Sequence, residues 1–546
     1  MPRGERRQPQ RAISATSLTD NGNMIREREI AGQESQPAEA VIAAQPAPGL
    51  HSKGPASVLK HAIVYGLGIA ARPMVSFLML PLYTHFIRSG DYGVYELMNR
   101  GGEFLGIFIF LAIPRAMMRI YALRDDRAYK HQVVTSALLF SGCWGLLLTG
   151  AFVAASGPLS QLLTKQPGYG HLFAIIMLSA WLDAGIQTPL SHMRAKEQSG
   201  WYTAINIARL AAAVSLNVYF VAVLHLGVAG IIYSSAIVTG GTWLLLVTKT
   251  LRETGLSVSR QAIVLMLRFG LPLSIGGLPV FVLHFADRFI LAHYYSAADV
   301  GTYAVGYRLG MLVGMLVNDP FGLAYEPYSY AIERRPDAKQ IYSRILTYHA
   351  VAGLLVFVGL SAFSRDIVRL MTAPDYFGAQ WVVPWVALGY VFYGMSNTAR
   401  LGLMLSQRTE LTLPLNAAAA GCNIALNFAL LPRFGIIGAA MATTFSFLAL
   451  AIINYAVTYR VYPIPCEPVR LAKAVGAAIA IAAVIMLFPP RVLALRLIAA
   501  TACAAAYPAL LLVLGFFHKD ETRAISRILA RGLSALRSKA GEVIGA

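Results

Sequence analysis

Acidic residues are scarce in this sequence: 27 Asp and Glu in 546 positions, against 46 Lys and Arg, for a formal net charge of +19. Charged residues of both signs reach only 13%, about half the share of an ordinary soluble protein. Three or four soluble domains, which the length alone would imply, could not be kept in water with so few charges. Cysteine is scarcer still. Cys143, Cys422, Cys466 and Cys503 form no C-x-x-C pair, so neither a zinc site nor a disulfide framework is indicated. No G-x-x-x-x-G-K-S/T loop occurs, which excludes a P-loop ATPase, and no motif asks for a metal or cofactor. The basic excess would fit a nucleic-acid binder, yet no basic patch interleaved with aromatics lies on a polar face. Nucleic acid is excluded as a partner.

Long apolar runs are what the chain has instead. Hydrophobic residues make up 56% and the mean hydropathy is +0.56. A membrane-spanning helix needs roughly 17–25 mainly apolar residues. Fourteen stretches qualify, near 58–87, 92–114, 131–155, 170–191, 201–224, 227–248, 263–294, 300–325, 342–362, 379–405, 411–431, 435–459, 469–488 and 492–516. The expected fold class is an all-α polytopic membrane protein.

The two ends differ from the rest. Residues 1–57 are rich in Gln, Ser, Pro and Ala without apolar periodicity, and read as a disordered tail. No apolar core follows their basic start, so they do not read as a signal peptide. In 517–546, Arg523, Arg527 and Arg531 recur every four residues while Ile525, Ile528, Leu529, Leu533 and Leu536 mark another face. That pattern suits a basic amphipathic tail on an anionic leaflet.

Basic residues orient the spans. With the N-terminus inside, tails and inner loops collect 28 Lys and Arg, whereas outer loops collect 6. That split is a positive-inside signal and places both termini in the cytoplasm.

A repeat runs through the spans at an offset of 208. HFIRSGDYGVYELMNRGG at 85–102 and HYYSAADVGTYAVGYRLG at 293–310 share His85/His293, Asp91/Asp299, Gly93/Gly301, Tyr95/Tyr303, Arg100/Arg308 and Gly102/Gly310. LGVAG at 226–230 and FGIIG at 434–438 match at the same offset through Gly227/Gly435 and Gly230/Gly438. Six spans separate the copies, so both face the same way. Two six-helix lobes related by a pseudo-two-fold along the membrane normal are expected. Their limits are 58–250 and 251–462, with two additional helices in 463–516. The first helix of each lobe carries breakers, Pro73 and Pro81 in one and Pro272 and Pro279 in the other. Breaks at matched positions point to a transporter's central site.

The segments LPLYTHFIRSGDYGVYELM (80–98), GLPLSIGGLPVFVLHFADRFIL (270–291) and VGTYAVGYRLG (300–310), with the LGVAG/FGIIG pair, resemble the polysaccharide transporter family. That family belongs to the MOP exporter superfamily, with the O-antigen and exopolysaccharide flippases. The resemblance covers roughly 58–460. It implies a MATE-like bundle that moves undecaprenyl-pyrophosphate-linked oligosaccharide from the cytoplasmic to the periplasmic leaflet of the inner membrane by alternating access. A polysaccharide polymerase and a chain-length regulator are the partners it implies. A monomer is the default, since two lobes enclose a cavity without a second copy.

Arginine within a span is costly to insert and therefore faces a cavity or a partner. Arg72, Arg100 and Arg308 fall near the middle of their spans and Arg288 nearer the outer end. Arg100 and Arg308 are matched by the repeat, and one cation from each lobe would suit a pyrophosphate. Glu96 and Glu103 lie within a helical turn of Arg100 and could neutralise it, whereas Arg308 has no acidic neighbour on its own helix. Candidates for coupling to an ion gradient are Glu96, Glu103, Asp183, Asp287, Asp319 and Glu326. A peptidoglycan-precursor flippase and a multidrug exporter share the expected fold. An enzyme that polymerises or ligates lipid-linked sugars would need an extended outer loop, and the longest here, SRDIVRLMTAPDYFG, has no His.

Overall fold

A computed structural model describes residues 77–488, 490, 492–518 and 521. The chain divides into two units, Met1–Leu59 and Lys60–Ala546, and the described residues all lie in the second. Arg72, Pro73, the tail 1–57 and most of the amphipathic tail fall outside the described residues.

Among the described residues every regular element is helical, and eleven helices are long and apolar enough to cross a membrane. The chain is a multi-pass membrane protein. In the first lobe, α1 (Leu80–Phe86) follows a turn at Met79 and carries Pro81 in its first turn, where the missing amide costs nothing. α2 (Ser89–Phe110) and α3 (Ile113–Tyr121) come next, then α4 (Arg127–Ala154) and the short α5 (Ser156–Thr164). α6 (Gly170–Ala195), α7 (Ser199–Asn217) with a π-helical end at Val218–Val223, and α8 (Gly227–Thr254) complete it.

The second lobe repeats this order. α9 (Arg260–Tyr294) leads into α10 (Ala297–Gly310), a π-turn at Gly314–Asn318 and α11 (Asp319–Ile332). α12 (Ala338–Met371), α13 (Val382–Ala399), α14 (Leu401–Leu405) and α15 (Thr412–Val461) follow. α15 turns at Gly435, so it contains both expected spans 411–431 and 435–459. The additional helices are α16 (Pro468–Leu487) and α17 (Leu493–Val513), and both pack on α12. Where α16 begins, Glu467 accepts from Thr347 at 2.7 Å and from Arg470 at 2.8 and 2.9 Å. Burial pushes that carboxyl up, but these hydrogen bonds outweigh it and hold it below its ordinary range.

The glycines of the repeat explain how the lobes meet. A Cβ on Gly93 would strike the carbonyl of Ala297 and crowd the amide of Gly301, and a Cβ on Gly301 would strike the carbonyl of Ser89 and crowd the amide of Gly93. Ser89 and Ala297 are themselves 208 apart. The contact is therefore reciprocal, as a two-fold axis between α2 and α10 requires. Gly227 and Gly435, another matched pair, have φ of 57° and 58°, the left-handed turn that opens the last helix of each lobe and favours glycine.

In the second lobe the expected break at the prolines is absent, and both lobes are interrupted one helix later. α9 runs unbroken through Pro272 and Pro279, because a membrane helix can lose one amide where its neighbours re-satisfy the freed groups. In the first lobe a turn at Met79 precedes Pro81, and a second interruption lies at Leu111 and Ala112, both left-handed with φ of 44° and 49°, just before Pro114. In the second lobe the matching span breaks at the π-turn 314–318.

Candidate functional site

Glu96 lies on the face of α2 that meets the second lobe, and it is buried. Its Oε1 accepts from Arg100 Nε at 2.8 Å and from Arg288 Nε at 3.2 Å. Its Oε2 accepts from Arg308 Nη2 at 3.3 Å. One carboxylate thus gathers three guanidinium groups, two of them from the second lobe. Arg100 and Arg308 both stand eleven residues into their helices, ~16 Å at 1.5 Å per residue.

Around this hub the charges balance. Arg100 Nη1 also donates to Glu103 at 2.5 Å. Arg288 Nη1 donates to Asp287 at 2.8 Å and to the His284 carbonyl at 3.0 Å. Asp287 accepts further from Tyr303, and from Thr443 at 3.2 Å. Aromatic rings fill the remaining faces: Arg288 sits 4.1 Å from the Tyr307 ring, Arg100 4.5 Å from Phe285 and Arg308 5.5 Å from Tyr92. Such faces suit cations in a dry environment. Arg288 is 2% exposed, while the side chains of Arg100 and Arg308 are 14% and 13% exposed. The first is an interior group, and the other two keep an accessible edge.

A cavity of 710 Å³ opens beside the hub between α2, α3, α6 and α8 of the first lobe and α9 of the second, lined by Asn99, Glu103, Arg115, Asp183, Thr239 and Ser274 among others. It is not a purely cationic cleft: its lining charges are Glu103, Asp183 and Arg115. Asp183 pairs with Arg209 at 2.9 Å, joining α6 to α7. Glu103 links cavity and hub, since it both lines the space and holds Arg100. Asp319 and Glu326 are exposed on the second lobe and make no ion pair with the hub among the described residues.

Arg308 finds its carboxylate across the lobes. Its own helix has none, but Glu96 reaches it from 212 residues away. Residues that sequence reasoning passed over include Tyr303, Tyr307 and Thr443, which hold Asp287 and Arg288. The i, i+4 tyrosines of VGTYAVGY were the available signal. His349 was also missed: it bonds Thr398 at 2.7 Å and Asn318, inside the π-turn, at 3.0 Å.

Known proteins match this architecture. The family model described as polysaccharide biosynthesis protein matches residues 58–333, and the MatE model matches 272–429. Lsg locus putative protein 1 of Haemophilus influenzae is 22% identical over 409 residues, covering 70% of this chain and 95% of that protein. The structure resembles the lipid II flippase MurJ in an inward closed conformation, with TM-score 0.67 and 13% identity over 83% of this chain and 98% of that one. It also resembles the inward-facing conformation of a multidrug resistance MATE family transporter of the MOP superfamily, with TM-score 0.59 and 16% identity over 73% and 97%.

Proposed function

The chain belongs to the polysaccharide biosynthesis protein family of the MOP superfamily, and from that premise we propose that it flips undecaprenyl-pyrophosphate-linked oligosaccharide from the cytoplasmic to the periplasmic leaflet of the inner membrane. The observation that carries the reading is the hub. Glu96 pairs in one site with arginines of both lobes, and two of these, Arg100 and Arg308, keep an accessible edge. A diphosphate, like a carboxylate, accepts bidentate hydrogen bonds from a planar guanidinium, and it carries more charge. Entering the cleft, it competes with Glu96 for Arg100 and Arg308. Glu96 then loosens its hold on the second lobe, and the lobes are free to re-form around the substrate. Binding is coupled to the change of access because one set of arginines serves both. The sugars need only a wet cavity, and the polyprenyl chain stays in lipid.

In this reading both termini are cytoplasmic, the protein works as a transporter and not as an enzyme, a monomer suffices, and a polymerase and chain-length regulator act downstream. Arg100→Ala and Arg308→Ala are expected to abolish polysaccharide export while the protein still inserts and folds. Full export by either variant contradicts the reading.

A second reading draws on the cavity lining. Glu103 and Asp183 are better suited to a cation than to a diphosphate, as in coupling to a proton or sodium gradient or in export of an organic cation. Asp183→Asn, which leaves the hub's own pairs in place, separates the two. Under the flippase reading it alters only dependence on the ion gradient, whereas under drug export it abolishes resistance to cationic compounds. A peptidoglycan-precursor flippase would need the same diphosphate hub, and rescue of cells depleted of that flippase identifies it.

A further inference from the structure

Three arginines outside the hub converge where α12 meets the two C-terminal helices. Arg365 and Arg369 are one turn apart near the end of α12, and Arg496 comes from the first turn of α17. With Gln380 and Trp381 they line a cavity of 230 Å³. Arg496 is already committed: its Nε lies 2.9 Å from both oxygens of Asp366, and the pair fastens α17 to α12. Arg365 and Arg369 are not balanced in this way. Nε of Arg365 is buried and has no hydrogen-bond partner among the described residues. The Arg369 guanidinium lies 5.4 Å over the Phe377 ring. Arg365 as a whole is half-buried and Arg369 exposed, but a buried guanidinium N–H without an acceptor is disfavoured, and Asp366 is a single carboxylate among three guanidinium groups, so the site calls for an anion.

The surroundings say which kind of anion. Arg365 is six residues from the end of α12, ~9 Å along the axis, a depth near the membrane–water boundary. Ile485 and Met486 form one wall, and the next residues, Leu487 and Phe488, are 71% and 76% exposed. Leu370, beside Arg369, is 82% exposed. In a membrane protein such side chains meet acyl chains, while Trp381 at the rim has the amphipathic ring of an interfacial anchor. A soluble anion would account for the arginines but not for the apolar flank.

We infer that this cavity binds the phosphate of a membrane lipid. Arg365 and Arg369 take the phosphate oxygens, Gln380 adds an amide donor, and the acyl or prenyl chain lies along Leu370, Leu487 and Phe488. Arginine is the fitting residue because its planar fork matches phosphate and keeps its charge. The phosphate has two available sources, an anionic phospholipid or a polyprenyl phosphate. The site shares no residue with the Glu96 hub, so it stands or falls separately from the flippase reading.

The test uses the purified full chain in phosphatidylcholine nanodiscs, with native mass spectrometry reporting retained lipid. One arm adds phosphatidylglycerol, a second undecaprenyl phosphate and a third inorganic phosphate. Variants are the Arg365→Gln, Arg369→Gln double and the corresponding Lys double. Both leave the Asp366–Arg496 pair intact, and an unchanged melting temperature shows that α17 is still docked. The wild type is expected to retain one of the two lipid phosphates over phosphatidylcholine. The Gln double should weaken retention by about tenfold or more, as loss of charge-assisted bonds implies, and the Lys double by less. Whichever lipid shows this dependence is the source, and either outcome supports the site. Equal retention by wild type and the Gln double overturns it. Displacement of the lipid by an equal concentration of inorganic phosphate overturns the lipid assignment.

Discussion

Arg100 and Arg308 occupy one position in two copies of the same lobe, yet their electrostatic surroundings differ. On α2, Arg100 has Glu96 one turn before it and Glu103 one turn after. The matching positions on α10 are Ala304 and Met311, so Arg308 depends on Glu96 of the opposite lobe. The backbone is symmetric, down to the reciprocal contacts of Gly93 and Gly301. The charges are not. A duplicated pair of lobes with identical polar residues would neutralise each arginine at home and leave the interface indifferent to what enters it. Concentrating the hub's shared carboxylate on one side makes the contact between lobes depend on an ion pair that an anionic substrate can displace.

The largest expected effect comes from removing the shared carboxylate. Glu96→Gln leaves Arg100, Arg288 and Arg308 with Asp287 and Glu103 alone. Breaking a buried ion pair by deleting one partner costs about 3–5 kcal/mol, so a marked drop in melting temperature in detergent is expected. Asp319→Asn, an exposed group outside the hub, should change it little. Equal effects of the two would mean that the hub does not hold the lobes together. A smaller effect tests the symmetric half of the comparison. Gly93→Ala and Gly301→Ala each drive a Cβ into the partner helix's backbone, where overpacking costs about 1–3 kcal/mol. Because the contacts are reciprocal, the two losses should agree closely by thermal unfolding, and a large loss at only one site would contradict the two-fold.

Much of this architecture was legible in the residues. Apolar runs located the spans because a bilayer admits only long, internally hydrogen-bonded helices. The repeat located the axis because glycine is demanded both where α2 and α10 cross and where the left-handed turns at Gly227 and Gly435 begin a helix. The helix breaks were less legible. Pro272 and Pro279 drew attention to α9, which stays continuous. The interruptions one helix later, at Leu111–Ala112 and the π-turn 314–318, have a weaker local signal, with Pro114 close after the first. Nor could spacing along one helix reveal that Arg308 and Arg288 share Glu96, since those pairings span 212 and 192 residues. Arg288, six residues from the end of α9, is enclosed by these partners and the Tyr307 ring, and its burial sets it apart from Arg100 and Arg308. Arg365, Arg369 and Arg496 carried no signal, because α17 is brought to α12 only by the fold.

Competition between Glu96 and a lipid diphosphate for Arg308 is the central claim. It is tested most directly by the affinity of undecaprenyl diphosphate for the wild type and for Arg308→Gln in the same nanodiscs. The account predicts a loss of about tenfold or more, the scale of a charge-assisted contact, with the variant still folded. Undiminished affinity would contradict it.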